Sequence, residues 1–300
     1  MKNIGILVGQ DADLPKSKIK NLPVSIFPFV VNWEGYDLMR KAQKNNTEDI
    51  RPKTSQPSAQ TLYTLFNKNL KIYEDILVIT ISSALSGTYN AAKQAKKLFK
   101  QDFQKRIHII DSQTSTGSEG LLVLKAAELV HSKQTINKIV EKLKQGIKNT
   151  RLLGVFDDPR WLKLGGRINN VQALVVKNML RAGFRPILTI RNGKITTQKV
   201  RREKDKANAL FLQFKNEMHN VILIRQLAEK NPMRSFGFQP QDDIRVAITH
   251  GDCEKDADVL KKLVQNYNKN ITIEFINTIS PVVGVHLGPD SLIISWMMKY

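Results

Sequence analysis

Short apolar runs alternate along this chain with segments in which apolar residues recur at helical spacing. The runs over 4–8 and 76–81 are rich in β-branched residues, a composition typical of strands buried on both faces of a parallel sheet. After the second run, the residues from 89 to 99 place alanines and aromatic side chains on one helix face and lysines on the other. This alternation predicts an α/β fold whose N-terminal part contains a parallel sheet.

The pattern predicts two α/β domains, an N-terminal one over residues 1–157 and a C-terminal one over 158–300. An apolar strand at 152–156 closes the first domain. In the second domain, two predicted strands within 184–200 flank an Arg-Asn-Gly turn, which is a strong hairpin signal. Because a hairpin joins antiparallel strands, we expect the C-terminal sheet to be mixed.

Three segments carry weaker patterns. Residues 25–33 are predicted to form one strand, and Pro28 inside it indicates an edge position or a bulge. The polar segment over 33–53 is predicted to be loop-rich, and a loop punctuated by proline and glycine is predicted over 231–241.

Basic residues exceed acidic ones by 47 to 27 in this chain of 300 residues, which gives a formal net charge of +20. Such an excess favours an anionic partner, which we take to be a nucleic acid, an anionic membrane surface or an acidic protein. The lysines are spread along the whole chain. This favours a general compositional bias, simple solubility or a broad membrane-facing field over a nucleic-acid-binding arm. The sequence has neither zinc-finger spacing nor an RNP-type aromatic motif. We therefore expect no nucleic-acid partner.

Cys253 is the only cysteine in the sequence. It has no partner for an internal disulfide, and a cysteine-based zinc site is excluded. The first apolar run is too short for a signal sequence, and no run reaches membrane-spanning length. These features predict a soluble cytoplasmic protein without a metal or cofactor.

Hydroxyl-bearing residues collect in three loops that adjoin predicted helices, at 54–58, 82–88 and 112–116. Ser86 or Thr88 is predicted to cap the helix that follows, and Gly87 allows another group to approach the backbone. The carboxyl ends of parallel strands share one edge of a sheet, so we expect at least two of these loops to lie together.

The first hydroxyl-rich loop is predicted to be a second helix N-terminus, with Thr54 or Ser55 as the cap and Pro57 in the first turn. Helix N-termini carry unpaired N–H groups and bind carboxylates or phosphates. The alternative interpretation is that all three loops are ordinary capped turns.

His286 is the histidine of greatest interest, because it lies in a predicted loop between Gly284 and the Gly-Pro pair at 288–289. A histidine at such a position is either a structural side chain or part of a site.

Six motifs occur together in this order and extend over nearly the whole chain. They are Thr-Ser-Gln-Pro-Ser (54–58), Ile-Ser-Ser-x-Leu-Ser-Gly-Thr-Tyr (81–89), Asp-Ser-x-x-Ser (111–115), Leu-Lys-x-Gly-Gly-Arg-Ile (162–168), Pro-Ile-Leu (186–188) and Gly-x-His-x-Gly-Pro (284–289). In this combination the chain resembles the DegV family, the fatty-acid-binding subunits of bacterial fatty acid kinase.

The resemblance implies two α/β domains and one long-chain fatty acid in a buried tunnel. It implies that Thr54, Ser86 and His286 hold the carboxylate, and that Arg167 lies near that end. We assign Gly87 to the same site. It also implies that the protein is not an enzyme, because a separate kinase subunit phosphorylates the bound carboxylate and the acyl phosphate feeds phospholipid synthesis.

Further expectations concern the acyl tail and the partners. The apolar helix faces over 121–130 and 171–179 are candidates to line the tunnel, although plain core packing is the alternative. The basic charge fits a protein that exchanges its ligand at an anionic membrane surface. We expect a monomer.

The chain departs from the usual family pattern at three places. Gly9 and Gln10 replace an aspartate and a serine in the first turn, and Gly117-Ser118 replaces a Met-Gly pair. Asp290-Ser291 follows the last motif in place of Gly-Ala. These changes leave Thr54, Ser86 and His286 intact. They bear on the choice of acyl chain and on the kinase that this protein serves.

Two other functions remain open at this level. A serine hydrolase would use Ser86 and His286, with Asp13 or Asp111 as the third group, but Ser86 lacks the Gly-x-Ser-x-Gly elbow of many hydrolases. A nucleic-acid-binding protein would rely on the basic charge, and its affinity would fall steeply with salt.

Overall fold

The computed structural model of this protein describes residues 3–45, 53–229 and 244–298. The loop predicted over 231–241 lies outside the described residues, and so do residues 46–52 of the segment predicted to be loop-rich.

The described residues form twelve strands. In chain order they are β1 (Ile4–Gly9), β2 (Val24–Phe27), β3 (Val30–Asn32), β4 (Lys53–Ser55), β5 (Asp75–Thr80), β6 (Ile107–Asp111), β7 (Thr150–Val155), β8 (Arg185–Arg191), β9 (Lys194–Arg201), β10 (Ile244–His250), β11 (Ile271–Thr278) and β12 (Leu292–Met298).

Twelve α-helices are also described, together with a short 3-10 helix over Gln10–Ala12. The α-helices are α1 (Lys16–Ile19), α2 (Tyr36–Asn45), α3 (Ala59–Leu70), α4 (Thr88–Lys97), α5 (Gln101–Gln104), α6 (Thr116–His131), α7 (Ile136–Asn149), α8 (Arg160–Leu164), α9 (Asn170–Arg181), α10 (Lys206–Glu229), α11 (Glu254–Tyr267) and α12 (Pro281–Leu287).

The strands form two main sheets. The first has the order β2-β1-β5-β6 and is parallel throughout. The second has the order β11-β10-β12-β7-β8-β9, and only its β10–β11 pair is parallel. The predicted α/β class, with one parallel and one mixed sheet, is confirmed. Strands β1 and β5 are buried along their whole length, as their unbroken apolar runs predicted.

The predicted boundary after residue 157 does not coincide with the change of sheet. Strand β7 pairs with β12 and β8, so residues 150–155 belong to the mixed sheet. An apolar run predicts a buried strand but does not say which sheet it joins. Here the neighbour of β7 is a strand about 140 residues later in the chain.

Two local predictions near the N-terminus were wrong. The strand expected over 25–33 is divided by Pro28 into β2, in the parallel sheet, and β3, which pairs with β4 in a separate two-stranded ribbon. Proline lacks the N–H that a continuous ladder needs. The segment expected to be loop-rich contains α2, whose Met39 and Ala42 are buried against Trp161.

Helix α6 forms much of the contact between the two main sheets. Its core cluster contains Val8 from the parallel sheet and Ala247 and Met297 from the mixed sheet. Gly117 permits this approach, because a Cβ atom there would lie 2.9 Å from the Cβ atom of Ala247. The apolar residues at 121–130 are therefore core packing, and none of them lines the cavity described below.

Helix α9 likewise does not line that cavity. Its buried residues are Ala173 and Val176, whereas Val171, Leu174 and Val175 are 71%, 59% and 46% exposed. A smaller cavity of about 190 Å³ is lined by Val171, Val175, Val176 and Met179, and it shares Phe156, Leu162, Leu188 and Ile195 with the main cavity. That residues 171–179 contribute to a tail tunnel therefore stays a prediction. Helical periodicity identifies an apolar face but not what covers it.

Candidate functional site

A cavity of about 750 Å³ lies where loops after β5 and β6 meet strands of the mixed sheet and helix α12. The lining includes all five residues proposed from the sequence, which are Thr54, Ser86, Gly87, Arg167 and His286. The loops at 82–88 and 112–116 follow neighbouring parallel strands and share one edge of the sheet, as expected. This edge is the usual place for ligands in open α/β sheets.

Thr54 and His286 are joined by a hydrogen bond of 2.8 Å between Oγ1 and Nε2. Thr54 lies on strand β4, opposite Val31 of β3. His286 was expected in a loop, but it lies in the last turn of α12, a helix that begins with Pro281. Residues from distant parts of the chain thus form one polar pair in the cavity.

The imidazole of His286 is held neutral by its surroundings. Burial lowers its pKa to about 3, and the positive charge of Arg167 acts in the same direction. Nδ1 has no hydrogen-bond partner among the described residues. It faces Gly165, where a Cβ atom would lie 2.2 Å away, so the absence of a side chain there makes room for the ring.

Ser86 and Gly87 lie at the N-terminus of α4. The N-cap position is Gly87 and no side chain caps the helix, so the prediction that Ser86 or Thr88 is the cap was wrong. Instead, the hydroxyl of Ser86 lies 2.9 Å from that of Thr88. The Ser86 hydroxyl also accepts a hydrogen bond of 3.4 Å from the backbone of Thr88. Since Gly87 has no side chain to cap the first turn, other N–H groups of that turn are left for an anion.

Gln56 is a lining residue that the sequence reasoning missed. Its side chain packs over Gly87, where a Cβ atom would lie 2.2 Å from Oε1. Its position inside the Thr-Ser-Gln-Pro-Ser motif was the available signal. Glycine at position 87 is thus required for the close approach of the loop that carries Thr54.

Thr54 and Ser55 do not cap a helix, contrary to expectation. The cap of α3 is Ser58, whose hydroxyl accepts a hydrogen bond of 3.0 Å from the backbone of Thr61. Serine and threonine side chains cap from the residue directly before the first turn. Because Ser58 supplies the cap, Thr54 is left on β4, where its hydroxyl contacts His286.

Arg167 contributes a positive charge to the lining. Its guanidinium donates to the backbone carbonyls of Gly165 and, at 3.3 Å, Leu85. Within the described part of the chain, no carboxylate forms an ion pair with Arg167. Burial lowers its pKa, but arginine stays charged in proteins. The cavity therefore contains a partly buried cation that has no carboxylate counter-ion among the described residues.

The rest of the lining is mainly apolar. Half of these apolar residues lie on β7, β8 and α12, and none belongs to the helix faces over 121–130 and 171–179. These apolar residues are Phe29, Ile81, Leu85, Leu152, Val155, Phe156, Leu162, Leu188, Ile190, Ile195, Val282, Val283, Leu287 and Ile293. The combination of a small polar group and long apolar walls is typical of a site for an amphipathic ligand.

The geometry does not form a catalytic triad. His286 contacts Thr54 and not Ser86, and its Nδ1 atom lacks the acceptor that a triad requires. Asp13 accepts from the backbone of Ser280, and Asp111 accepts from Ser83. In the described ranges no cluster of three potential ligands is arranged to hold a metal. No helix in the described part of the chain is both long and apolar enough to cross a membrane.

The departures from the family pattern lie near the site. The side chain of Gln10 accepts a hydrogen bond of 3.3 Å from the backbone of Phe29, a wall residue. Asp290 has a positive φ of 62° and forms an ion pair with Arg40. Gln10 thus holds a residue of the cavity wall, whereas Asp290 forms its ion pair outside the cavity, next to α12.

Comparison with known proteins gives one consistent result. The family model for DegV, described as an uncharacterised protein family, matches residues 3–299. A protein of Thermotoga maritima named fatty acid-binding protein is 29% identical over 306 residues, which cover 96% of each chain.

Solved structures agree with this comparison at the level of the fold. A fatty-acid-binding DegV family protein from Thermus thermophilus superposes with a TM-score of 0.80 at 20% identity, over 99% of this chain and 100% of that one. A stearic-acid-binding protein from Eubacterium ventriosum gives a TM-score of 0.76 at 21% identity, over 99% of both chains. Since the family model spans nearly the whole sequence, the chain belongs to the DegV family.

Proposed function

We propose that this protein binds one long-chain fatty acid in the cavity, with the carboxylate beside Thr54, Ser86, Gly87, Arg167 and His286. The observation that carries this proposal is the unpaired Arg167 in an otherwise largely apolar cavity. An anion is needed to balance a partly buried cation, and a hydrocarbon tail is suited to the apolar walls.

The polar residues are linked by contacts, which supports a single head-group site. Thr54 contacts His286, and the charge of Arg167 reaches His286. Arg167 also donates to the carbonyl of Leu85, directly before Ser86. Hydroxyl, N–H and guanidinium groups are the donors that a carboxylate prefers, and such charge-assisted hydrogen bonds are about twice as strong as neutral ones.

The tail would supply most of the affinity. Each buried CH₂ group contributes about 0.8 kcal/mol. The cavity volume of about 750 Å³ falls within the usual size range of small-molecule sites. The polar end would then select a carboxylate over other head groups.

The role we propose is that of a carrier without its own catalytic step. The family resemblance supports presentation of the bound carboxylate to a separate kinase subunit, which forms the acyl phosphate. Ligand exchange at an anionic membrane is supported by the net charge of +20 and by the exposed apolar side chains of Val171, Leu174 and Val175.

Native mass spectrometry of the protein purified from a bacterial host, followed by organic extraction and lipid analysis, tests ligand binding. We expect one fatty acid per chain. A protein that is empty, and that also fails to take up added oleate and palmitate, would contradict the proposal.

The kinase step needs a separate experiment. The palmitate-loaded protein is incubated with ATP and a bacterial fatty acid kinase catalytic subunit, and acyl phosphate is trapped with hydroxylamine. The kinase with its own binding subunit is the positive control. Trapped acyl hydroxamate is expected. If no acyl hydroxamate forms while the positive control succeeds, this protein does not serve that kinase. The proposal that it binds a fatty acid would be unaffected.

A further inference from the structure

Thr54 lies on an element that cannot hold its position alone. Strands β3 and β4 contain three residues each and pair only with one another, in a ribbon that joins neither main sheet. An isolated two-stranded ribbon is marginally stable at best. The position of Thr54 therefore depends on what the ribbon and the attached helix α2 pack against.

We call the described residues at 30–45 and 53–55 the flap, since they include β3, α2 and β4. The flap packs on the part of the protein that carries His286. Met39 and Ala42 of α2 form a small apolar cluster with Trp161. The hydroxyl of Tyr36 donates to the carbonyl of Ile279 at 3.4 Å. Gly284 of α12 accommodates the tyrosine, because a Cβ atom there would lie 2.6 Å from its hydroxyl.

Arg40 forms ion pairs between the flap and the rest of the protein, and Arg160 forms a second charged contact by donating to the carbonyl of Ala42 at 3.0 Å. The guanidinium of Arg40 lies 2.5 Å from Oδ2 of Asp252 and 3.1 Å from Oδ1 of Asp290, and it donates to the carbonyl of Asp252 at 2.9 Å. Asp252 follows β10, whereas Asp290 precedes β12 and lies four residues after His286. One arginine thus joins α2 to two loops next to α12.

The loops that carry Asp252 and Asp290 are joined to each other by a backbone hydrogen bond. The backbone of Asp290 donates to the carbonyl of Gly251 at 2.6 Å. Both Asp252 and Asp290 have positive φ angles, of 58° and 62°. The backbone therefore fixes the positions of both carboxylates, so that each can form a hydrogen bond of defined geometry with Arg40.

From this geometry, and on the basis of the proposed function, we infer that Arg40 is a positioning residue for the carboxylate site. Its ion pairs with Asp252 and Asp290 hold the flap so that the Thr54 hydroxyl stays within hydrogen-bonding distance of His286. Arg40 itself is absent from the cavity lining. Asp290 is one of the positions at which the chain departs from the usual family pattern.

The test compares palmitate with hexadecanol, which has the same tail and no carboxylate, by displacement of a fluorescent fatty acid. Arg40→Ala should weaken palmitate binding about three- to tenfold, the size expected for partly exposed ion pairs, and should leave hexadecanol binding unchanged. Lys41→Ala, an exposed neighbour on the same helix, should change neither ligand.

A double-mutant cycle separates positioning from general stability. In a Thr54→Val background, Arg40→Ala should add little further loss of palmitate affinity, because the residue through which it acts is gone. Asp290→Gly, which suits the positive φ, is the second variant in case Arg40→Ala does not fold. It should weaken palmitate binding two- to fivefold, because it removes one of the two ion pairs that Arg40 forms with Asp252 and Asp290.

The outcomes are distinguishable. If the wild-type protein binds no palmitate, the proposed function fails. If the wild type binds palmitate but Arg40→Ala and Asp290→Gly leave its affinity unchanged, the inference about Arg40 is wrong. It is also wrong if they weaken both ligands equally, or if the effect of Arg40→Ala persists in full beside Thr54→Val. In these cases the binding proposal stands.

Discussion

The Nε2 atom of His286 lies 2.8 Å from the Oγ1 atom of Thr54, although the two residues are 232 positions apart in the chain. The contact joins the last turn of α12 to the short ribbon of β3 and β4. Together with the unpaired charge of Arg167, it forms the polar part of a cavity whose other walls are mainly apolar. The predictions below follow from this arrangement and from the packing around it.

Ser86 is expected to bind the carboxylate directly. Ser86→Ala should cost about 1.5–3 kcal/mol of fatty acid affinity, the value of a hydrogen bond to a charged group, measured by titration with palmitate. Ser83→Ala is the matched control, because Ser83 is on the same loop and its hydroxyl donates to Asp111. Equal affinities of wild type and Ser86→Ala would remove Ser86 from the site.

His286 is expected to act as a neutral hydrogen-bonding group. Burial, followed by the charge of Arg167, lowers its pKa to about 3, so the ring stays uncharged from pH 8 down to about pH 4. Palmitate affinity should therefore show no step from this histidine between pH 6 and 8. NMR of the ring, assigned with His286→Asn, checks the protonation state. A titration of His286 near pH 6.5 would contradict this picture.

Asp11 and Glu119 form a buried acidic pair beside α6. Burial raises the pKa of Asp11 to about 6 and that of Glu119 well above its usual value, and the two charges repel. The unfolded chain releases the Asp11 proton near pH 4, whereas the folded chain keeps it to about pH 6. The stability that depends on the Asp11 proton is therefore fully present below pH 4 and decreases as the pH rises from 4 to 6.

Asp11→Asn should remove this loss of stability between pH 4 and 6, because asparagine has no proton to release in that range. We expect the variant to be more stable than wild type by about 3 kcal/mol at pH 7, at 1.36 kcal/mol per pKa unit, and to match it near pH 4. Urea denaturation at both pH values measures the difference. Asp102→Asn is the control, since Asp102 is exposed. An Asp11→Asn variant that is less stable at pH 7 would show that the Asp11 carboxylate is needed in the folded protein.

The exposed face of α9 is expected to contact membranes. Replacing Val171, Leu174 and Val175 together by serine should weaken binding to anionic vesicles about tenfold or more, because each apolar side chain contributes up to 1.5–3 kcal/mol when buried. Ala173 and Val176 hold the helix from the other side, so the fold should persist. Val259→Ser, at another exposed apolar position, is the control in vesicle flotation. Equal flotation of the triple variant and wild type would argue against α9 as the contact.

The candidate site residues could be named because they belong to ordered motifs that resemble those of the DegV family. Thr54, Ser86, Gly87, Arg167 and His286 were named from the sequence, and the fold brings all of them to one cavity. Gln56 could have been added from the same motif. The apolar wall residues could not, because an apolar residue in a strand is equally suited to the core and to a cavity.

Local patterns failed where a distant contact decides the structure. Residues 36–45 are polar enough to suggest a loop, yet they form α2, because Met39 and Ala42 are buried against Trp161 more than a hundred residues away. Both α6 and α9 are rich in apolar residues. Those of α6 form the core between two sheets, whereas three of α9 face outward.

The sequence by itself determined the α/β class and the buried parallel strands, which depend on periodicity and β-branched runs, both of which are local. Its motifs also named five candidate polar residues, through their resemblance to the DegV family. Only the tertiary structure decided that β7 joins the mixed sheet, that Arg40 ties the flap to Asp252 and Asp290, and which apolar side chains surround the cavity. Such contacts join residues far apart in the chain, and their energies depend on complementary shapes and charges that exist only once the chain has folded.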